Sequence, residues 1–224
     1  MLGLAGTAPA AVMTWGAATG ISGDADVSTN GALVGAFNFA GGATTVNGVL
    51  FQAFAVGSNS NTVGNHTLSA SSTIGPSNVS SLSAPFSTLT AQYRALLGSA
   101  ASDADETVTL TMSGLTPGQK YEFQVWVNDS RSFGGFNVDV TAGNTVTLDP
   151  NPPGPPDEGG VGQFVIGSFV ANGASQAVGF FGGEVGIFNG FQLRAVPSAV
   201  PEPSMLGLLG IGLAGVGFSR RKKA

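Results

Sequence analysis

Four side chains on one short run can reach a ligand together. In Tyr121-Glu122-Phe123-Gln124-Val125-Trp126-Val127, apolar and polar residues alternate. On a strand, Glu122, Gln124, Trp126 and Asn128 share one face, and Tyr121, Phe123, Val125 and Val127 share the other. A large aromatic among amides and a carboxylate is what a sugar platform needs: the ring stacks on C–H bonds and its neighbours bond hydroxyls. Asn128-Asp129-Ser130-Arg131 follows at the strand end, where binding loops often lie. Arg131 supplies a planar fork of donors. Asn137 and Asp139 extend this face if their strand is adjacent. The competing expectation is that another layer covers the face. Trp126 is then core, and Asp129 with Arg131 is a local ion pair that shapes a turn.

Calcium is the next candidate. Asp24-Ala25-Asp26 and Asp103-Ala104-Asp105-Glu106 are carboxylate groups in Gly/Ser/Ala-rich surroundings. Calcium takes six to eight oxygens, and in a sandwich those need not be sequential. Asp24, Asp26 and Ser28 mimic the start of an EF-hand loop, but Thr29 and Gly35 fall where that loop requires glycine and glutamate, so the EF-hand reading fails. Aspartates at turns need no metal. His66 is the only histidine; beside a Ser/Asn-rich loop it is expected to be solvated. No nucleophile-elbow motif occurs. A glycosidase needs two carboxylates, and Glu122, Asp129 and Asp139 are the conceivable members. Without a triad or a metal cluster the sequence reads as a non-enzyme, with no cofactor beyond a structural calcium.

Composition narrows the class. The chain has 224 residues, 35 glycines, no cysteine and 9% charged residues. Disulfides and thiolate metal sites are excluded. Without the segment from Val200, four cations stand against twelve acids, leaving −8. Nucleic acid is disfavoured as a partner, because it selects a cationic surface.

The elements that must position these residues are mostly strands. Thr107 to Met112 alternates strictly, Leu115-Thr116-Pro117-Gly118-Gln119 is a turn, and Tyr121 to Val127 returns as a second strand. Phe136–Val140 and Thr145–Leu148 flank Gly143-Asn144, and Thr44–Val46 and Val49–Phe51 flank Asn47-Gly48, both hairpin signals. Phe164–Val170 and Ala177–Phe181 flank Asn172-Gly173, and Phe191–Arg194 closes the domain. Phe86, Leu89, Tyr93, Leu96 and Leu97 have helical spacing, with Gly98 in the place of a C′ glycine. Asp149 to Gly160, with five prolines, reads as an exposed loop or a spacer between strands. The fold class is all-β: an antiparallel β-sandwich of jelly-roll type over residues 13–196 with one short helix.

Both ends read as addresses. Met1–Val12 is apolar and holds Ala8-Pro9-Ala10, so residues 1–12 read as a signal-peptide remnant, the alternative being an apolar first strand. At the other end, Pro201 and Pro203 keep Val200–Pro203 extended. Met205–Phe218 is uncharged and as a helix spans roughly 21 Å. That is short for a hydrocarbon core of about 30 Å, but Arg220, Arg221, Lys222 and Lys223 can snorkel and extend it. Its glycines and lack of a polar face argue against a core helix. Cations beside a spanning segment stay cytoplasmic, which places the body outside.

Pro201-Glu202-Pro203, the hydrophobic helix over 205–218 and the basic end, in that order, resemble the PEP-CTERM sorting signal of Gram-negative bacteria. The resemblance covers about the last 26 residues, within a sorting tail set at 197–224. It implies an exported protein, held transiently in the inner membrane, then processed near Pro201-Glu202-Pro203 by an exosortase and delivered to the cell surface or an exopolysaccharide matrix. Separately, Glu106–Arg131 with Asn189–Arg194 is similar to galactose-binding-like and carbohydrate-binding sandwiches. Three duties follow as expectations: a structural or adhesive matrix protein, a carbohydrate-binding module that retains the protein in extracellular polysaccharide, or a matrix-glycan hydrolase.

Overall fold

The computed structural model describes residues 10–103, 107–132, 136–152, 158–182 and 186–197. The tail from 198, with the helix expected over 205–218, lies outside them, as do residues 1–9 and Asp105. Eight strands precede the helix: β1 (Thr14–Trp15), β2 (Thr19–Gly20), β3 (Ala32–Phe39), β4 (Thr44–Val46), β5 (Val49–Phe54), β6 (Ser60–Val63), β7 (His66–Ser69) and β8 (Gly75–Asn78). The helix is α1 (Ala91–Leu97). After it come β9 (Ser99–Asp103), β10 (Val108–Ser113), β11 (Lys120–Val127), β12 (Val138–Ala142) and β13 (Asn144–Leu148). The last four are β14 (Gln163–Val170), β15 (Ser175–Phe181), β16 (Gly186–Phe188) and β17 (Gly190–Val196).

The first sheet runs β1-β14-β11-β17-β3-β5-β4, with β2 also on β14; the second runs β13-β12-β15-β10-β7-β6. A third, β16-β9-β8, completes the fold. With the short flanking strands set aside, the two main sheets read β3-β17-β11-β14 and β10-β15-β12-β13. That is the wound order of a jelly roll, in which the chain passes repeatedly from one sheet to the other. Pairing is antiparallel except between β3 and β5. Two local expectations change accordingly. The Pro117-Gly118 turn, closed by Gln119 N–H donating to Thr116 O at 3.1 Å, joins strands in opposite sheets, and so does the Asn172-Gly173 link. The Asn47-Gly48 and Gly143-Asn144 hairpins form as read. Asn47 and Gly48 both take positive φ, 49° and 75°, as a two-residue hairpin turn demands.

The main core fills the space between the sheets. Phe123, Val125, Phe191, Leu193, Phe37 and Phe39 of the first sheet face Leu110, Met112, Val140, Val178 and Phe180 of the second. Phe191 stacks on Phe37 at 5.3 Å and on Phe39 at 5.5 Å. Ala11 exchanges two hydrogen bonds with the Gln176 side chain and Met13 is fully buried, so the body begins before residue 13.

The helical pattern predicted the buried positions but not their continuity. Phe86–Thr88 forms a single 3₁₀ turn, Leu89 is extended, and Thr90 then starts α1 by accepting from Tyr93 N–H at 3.2 Å. Gly98 is right-handed, not the left-handed C′ residue expected. It is glycine because a Cβ there would stand 2.7 Å from the Arg94 carbonyl. The Asp149–Gly160 loop is not wholly exposed either: Pro150, Asn151, Gly159 and Gly160 are buried, while residues 153–157 lie outside the described residues.

Phe123 is sealed in the middle of the main core. Its replacement by alanine is expected to cost about 3–5 kcal/mol. Urea unfolding checks this, and a cost under about 1 kcal/mol would place the ring outside the core.

Candidate functional site

The first sheet is covered on its outer face as well, and this decides the predicted sugar platform. Ile21, Val27, Phe51, Phe86, Tyr93, Leu96, Leu97 and Phe164 form a second apolar core there, under α1. Trp126 is its centre, with no exposed surface. It meets Phe51 edge to face at 5.5 Å, and its indole N–H donates to Tyr93 Oη at 3.0 Å. The platform reading of Trp126 is therefore corrected, because the ring has no face left for a sugar. Burial, with Asp26 nearby, pushes the Tyr93 hydroxyl far above its ordinary range.

The polar residues of that face are spent on the chain itself. Gln124 accepts from Ser28 N–H at 3.0 Å and donates to Asp26 O at 2.6 Å. Gln192 donates to Ser28 O and to Gln124 Oε1. The Arg194 guanidinium, 7% exposed, donates to the carbonyls of Thr29, Asn30 and Gly31 at 3.2, 2.7 and 2.7 Å. Gly31 has φ +75°, and a Cβ there would fall 2.3 Å from Ala195 O. Together these contacts press residues 26–31 onto β11 and β17. Glu122 accepts from the Ser28 hydroxyl and from Asn30 Nδ2. It borders a cleft of about 350 Å³ that Lys120, Asn30, Thr14, Trp15 and Ser168 also line.

At the strand end, Asn128 and Asn189 form a knot. Asn128 Nδ2 and Asn189 Nδ2 both donate to Leu97 O, and Asn128 N–H donates to Asn189 Oδ1 at 2.6 Å. Asp129 is fully buried and accepts two parallel bonds from Arg131, at 2.9 and 2.7 Å. That pair holds the Arg131 charge on above its ordinary range. Asn137 and Asp139 do not extend the face, because β12 belongs to the second sheet. Nor do the three carboxylates of the hydrolase reading converge. Glu122 points outward from the first sheet. Asp139, bonded by Thr147, alternates with the core residues Val138 and Val140 and so faces outward from the second. Asp129 lies two residues past the far end of β11, whose other end holds Glu122.

The aspartates proposed for calcium also hold protein donors. Asp26 accepts from Ser22 Oγ, Ser22 N–H and Gly23 N–H, and Asp24 accepts from Thr90 Oγ1 at 2.6 Å. Asp103 ends β9, in the third sheet. Among the described residues no three His, Asp or Glu side chains stand close enough to share a metal.

Sequence reasoning missed a second cleft, of about 280 Å³, between β3 and β5 of one sheet and the β6–β7 turn and β10 of the other. Val34, Phe37, Gln52, Asn65, His66 and Ser113 line it. His66 is not solvated as expected but 4% exposed, tilted against Phe37 at 4.7 Å and Phe191 at 5.4 Å. Neither ring nitrogen has a hydrogen-bond partner among the described residues. Each such buried orphan costs about 1–3 kcal/mol. The available signal was alternation, since His66 shares a strand face with Leu68. Burial lowers the His66 pKa from 6.5; the nearby Val63 backbone opposes this without making a hydrogen bond of ordinary geometry.

Comparison with known proteins bears on the tail. Residues 199–222 match the PEP-CTERM protein-sorting motif. This chain carries a PEP-CTERM signal. The motif marks an exported protein with a C-terminal membrane-anchoring signal, sorted through exosortase. No helix among the described residues is long and apolar enough to cross a membrane. No curated protein matches the chain. Similar solved structures include the ANXUR1 extracellular domain of Arabidopsis thaliana, at 10% identity and TM-score 0.40 over 73% of this chain and 49% of that one. A second is the exo-beta-1,3-galactanase of Phanerochaete chrysosporium with galactose, at 19% and 0.30 over 59% and 30%. A third is a promiscuous carbohydrate-binding module of the beta-sandwich superfamily, at 10% and 0.15 over 64% and 71%. The chain thus spans about half the length of the first and under a third of the second.

Two predictions follow from this geometry. Arg194→Met leaves three carbonyls without their donor and is expected to cost roughly 2–4 kcal/mol. Arg194→Lys should not restore it, because one ammonium cannot span the same fork. Urea unfolding and protease sensitivity at residues 27–31 report both. For His66 the folded pKa lies below the unfolded one. Its contribution to stability is full above about pH 6.5 and is lost as pH falls from there through the folded pKa. The urea midpoint should drop between about pH 7 and about pH 5.5, and His66→Gln should flatten that limb.

Proposed function

We propose that this chain is a cell-envelope or exopolysaccharide-matrix protein whose sandwich has a structural or adhesive duty and no catalytic one. The observation that carries the reading is the sorting motif at 199–222, joined to a body whose most polar strand face is spent on internal hydrogen bonds. A face used in this way stabilises a scaffold. In this reading Pro201, Glu202 and Pro203 are recognised by exosortase and perform no chemistry themselves. Arg220, Arg221, Lys222 and Lys223 hold the cytoplasmic end of the precursor until release. The matrix supplies extracellular polysaccharide as the neighbour, but Trp126 no longer supports a glycan contact.

The test is alanine at Pro201, Glu202 and Pro203 together, in a host that contains exosortase. The precursor should accumulate uncut in the membrane fraction, and surface labelling of the body should fall to background. Unchanged processing and surface display would remove the sorting step. For the wild type, the released body should stay with the washed matrix; recovery mainly in free medium would remove the adhesive duty.

A further inference from the structure

We propose that the cleft at His66 is a binding site for an uncharged, hydroxyl-rich ligand the size of one sugar residue. This goes beyond the sorting reading and does not depend on it. At about 280 Å³ the cleft lies at the small end of ligand pockets, with room for a single ring.

The lining selects the chemistry. No lining residue carries a formal charge, and burial holds His66 neutral, so an ionic ligand finds no counter-charge. A purely apolar ligand would leave the polar lining unpaired on desolvation. Gln52, Asn65 and Ser113 spend no side-chain hydrogen bond on the described residues, and between them they offer donors and acceptors. Val34 and Phe37 offer apolar surface to C–H bonds. A polyol ring matches both parts.

His66 is the polar anchor. A neutral imidazole donates at one nitrogen and accepts at the other, and here neither has a hydrogen-bond partner among the described residues. A hydroxyl can serve either role. The nitrogens are shut from water in the free protein, so the proposed binding requires the ring to turn about its Cβ–Cγ bond when the ligand enters. The ligand then satisfies an atom that the fold leaves orphaned.

The chain has one histidine, so its imidazole Cε1 proton is a single unambiguous NMR signal. Full-length protein in a sugar-free zwitterionic detergent is titrated with the methyl glycosides of glucose, galactose, mannose and N-acetylglucosamine, and with glucuronate as the charged comparison. At least one neutral glycoside should shift the signal saturably. It should also lower the His66 titration midpoint further, because it binds the neutral ring. Gln52→Ala should weaken binding roughly 5–10-fold, the loss of one hydrogen bond. Ser113→Phe, which fills the cleft from an exposed position, should abolish the shift. No shift from any neutral glycoside at tens of millimolar, a response to glucuronate alone, a raised midpoint, or a shift that survives Ser113→Phe would overturn the proposal.

Discussion

One guanidinium fixes how the first sheet meets its surroundings. Arg194 lies on β17, the strand between β11 and β3, and gives up water for the carbonyls of Thr29, Asn30 and Gly31. A buried cation is tolerated only when its donors are met, and those three carbonyls with Gln192 Oε1 meet four of the five. Because the coil is pinned there, Gln124 and Gln192 find Ser28 and Asp26 as partners. With the coil in place, Val27 and Ile21 reach the apolar cluster around Trp126. The polar tether and the second core are therefore one arrangement, and each supplies what the other lacks: direction from the hydrogen bonds, burial from the rings.

The two clefts differ in kind for the same reason. The one beside Glu122 borders the tethered coil and is lined by both a carboxylate and an ammonium. The one at His66 lies toward the other margin of the first sheet, at β3 and β5. Its walls are neutral, and its buried imidazole has no hydrogen-bond partner among the described residues.

Much of the strand content was legible because alternation is a direct record of one buried face. β10, β11, β12, β13 and β17 fall within a residue or two of where periodicity put them. Sheet assignment was not legible, since a Pro-Gly or Asn-Gly turn looks the same whether it makes a hairpin or a crossing between layers. The site was misread where alternation carried more than one meaning. Gln124 and Trp126 are spaced as if half-exposed, yet the sheet is buried on both sides, and a polar side chain inside such a layer looks in sequence like one facing water. The residues that cover it, 21–31 and 86–97, are distant in sequence and carry no mark of their destination. The competing expectation, a core Trp126 with an Asp129–Arg131 pair shaping the turn, matches the geometry found.

The order of strands along the chain has a consequence for biogenesis. β17 is made late yet occupies the interior of the first sheet, flanked on both sides by strands synthesised long before it. Until it emerges, β11 and β3 have no common neighbour, and the Arg194 clasp does not exist. The sandwich thus cannot complete its architecture during most of translocation. Closure must wait for β17, the last described strand before the tail that carries the sorting motif. Any later pull on that tail would be borne as shear along two hydrogen-bond ladders at once.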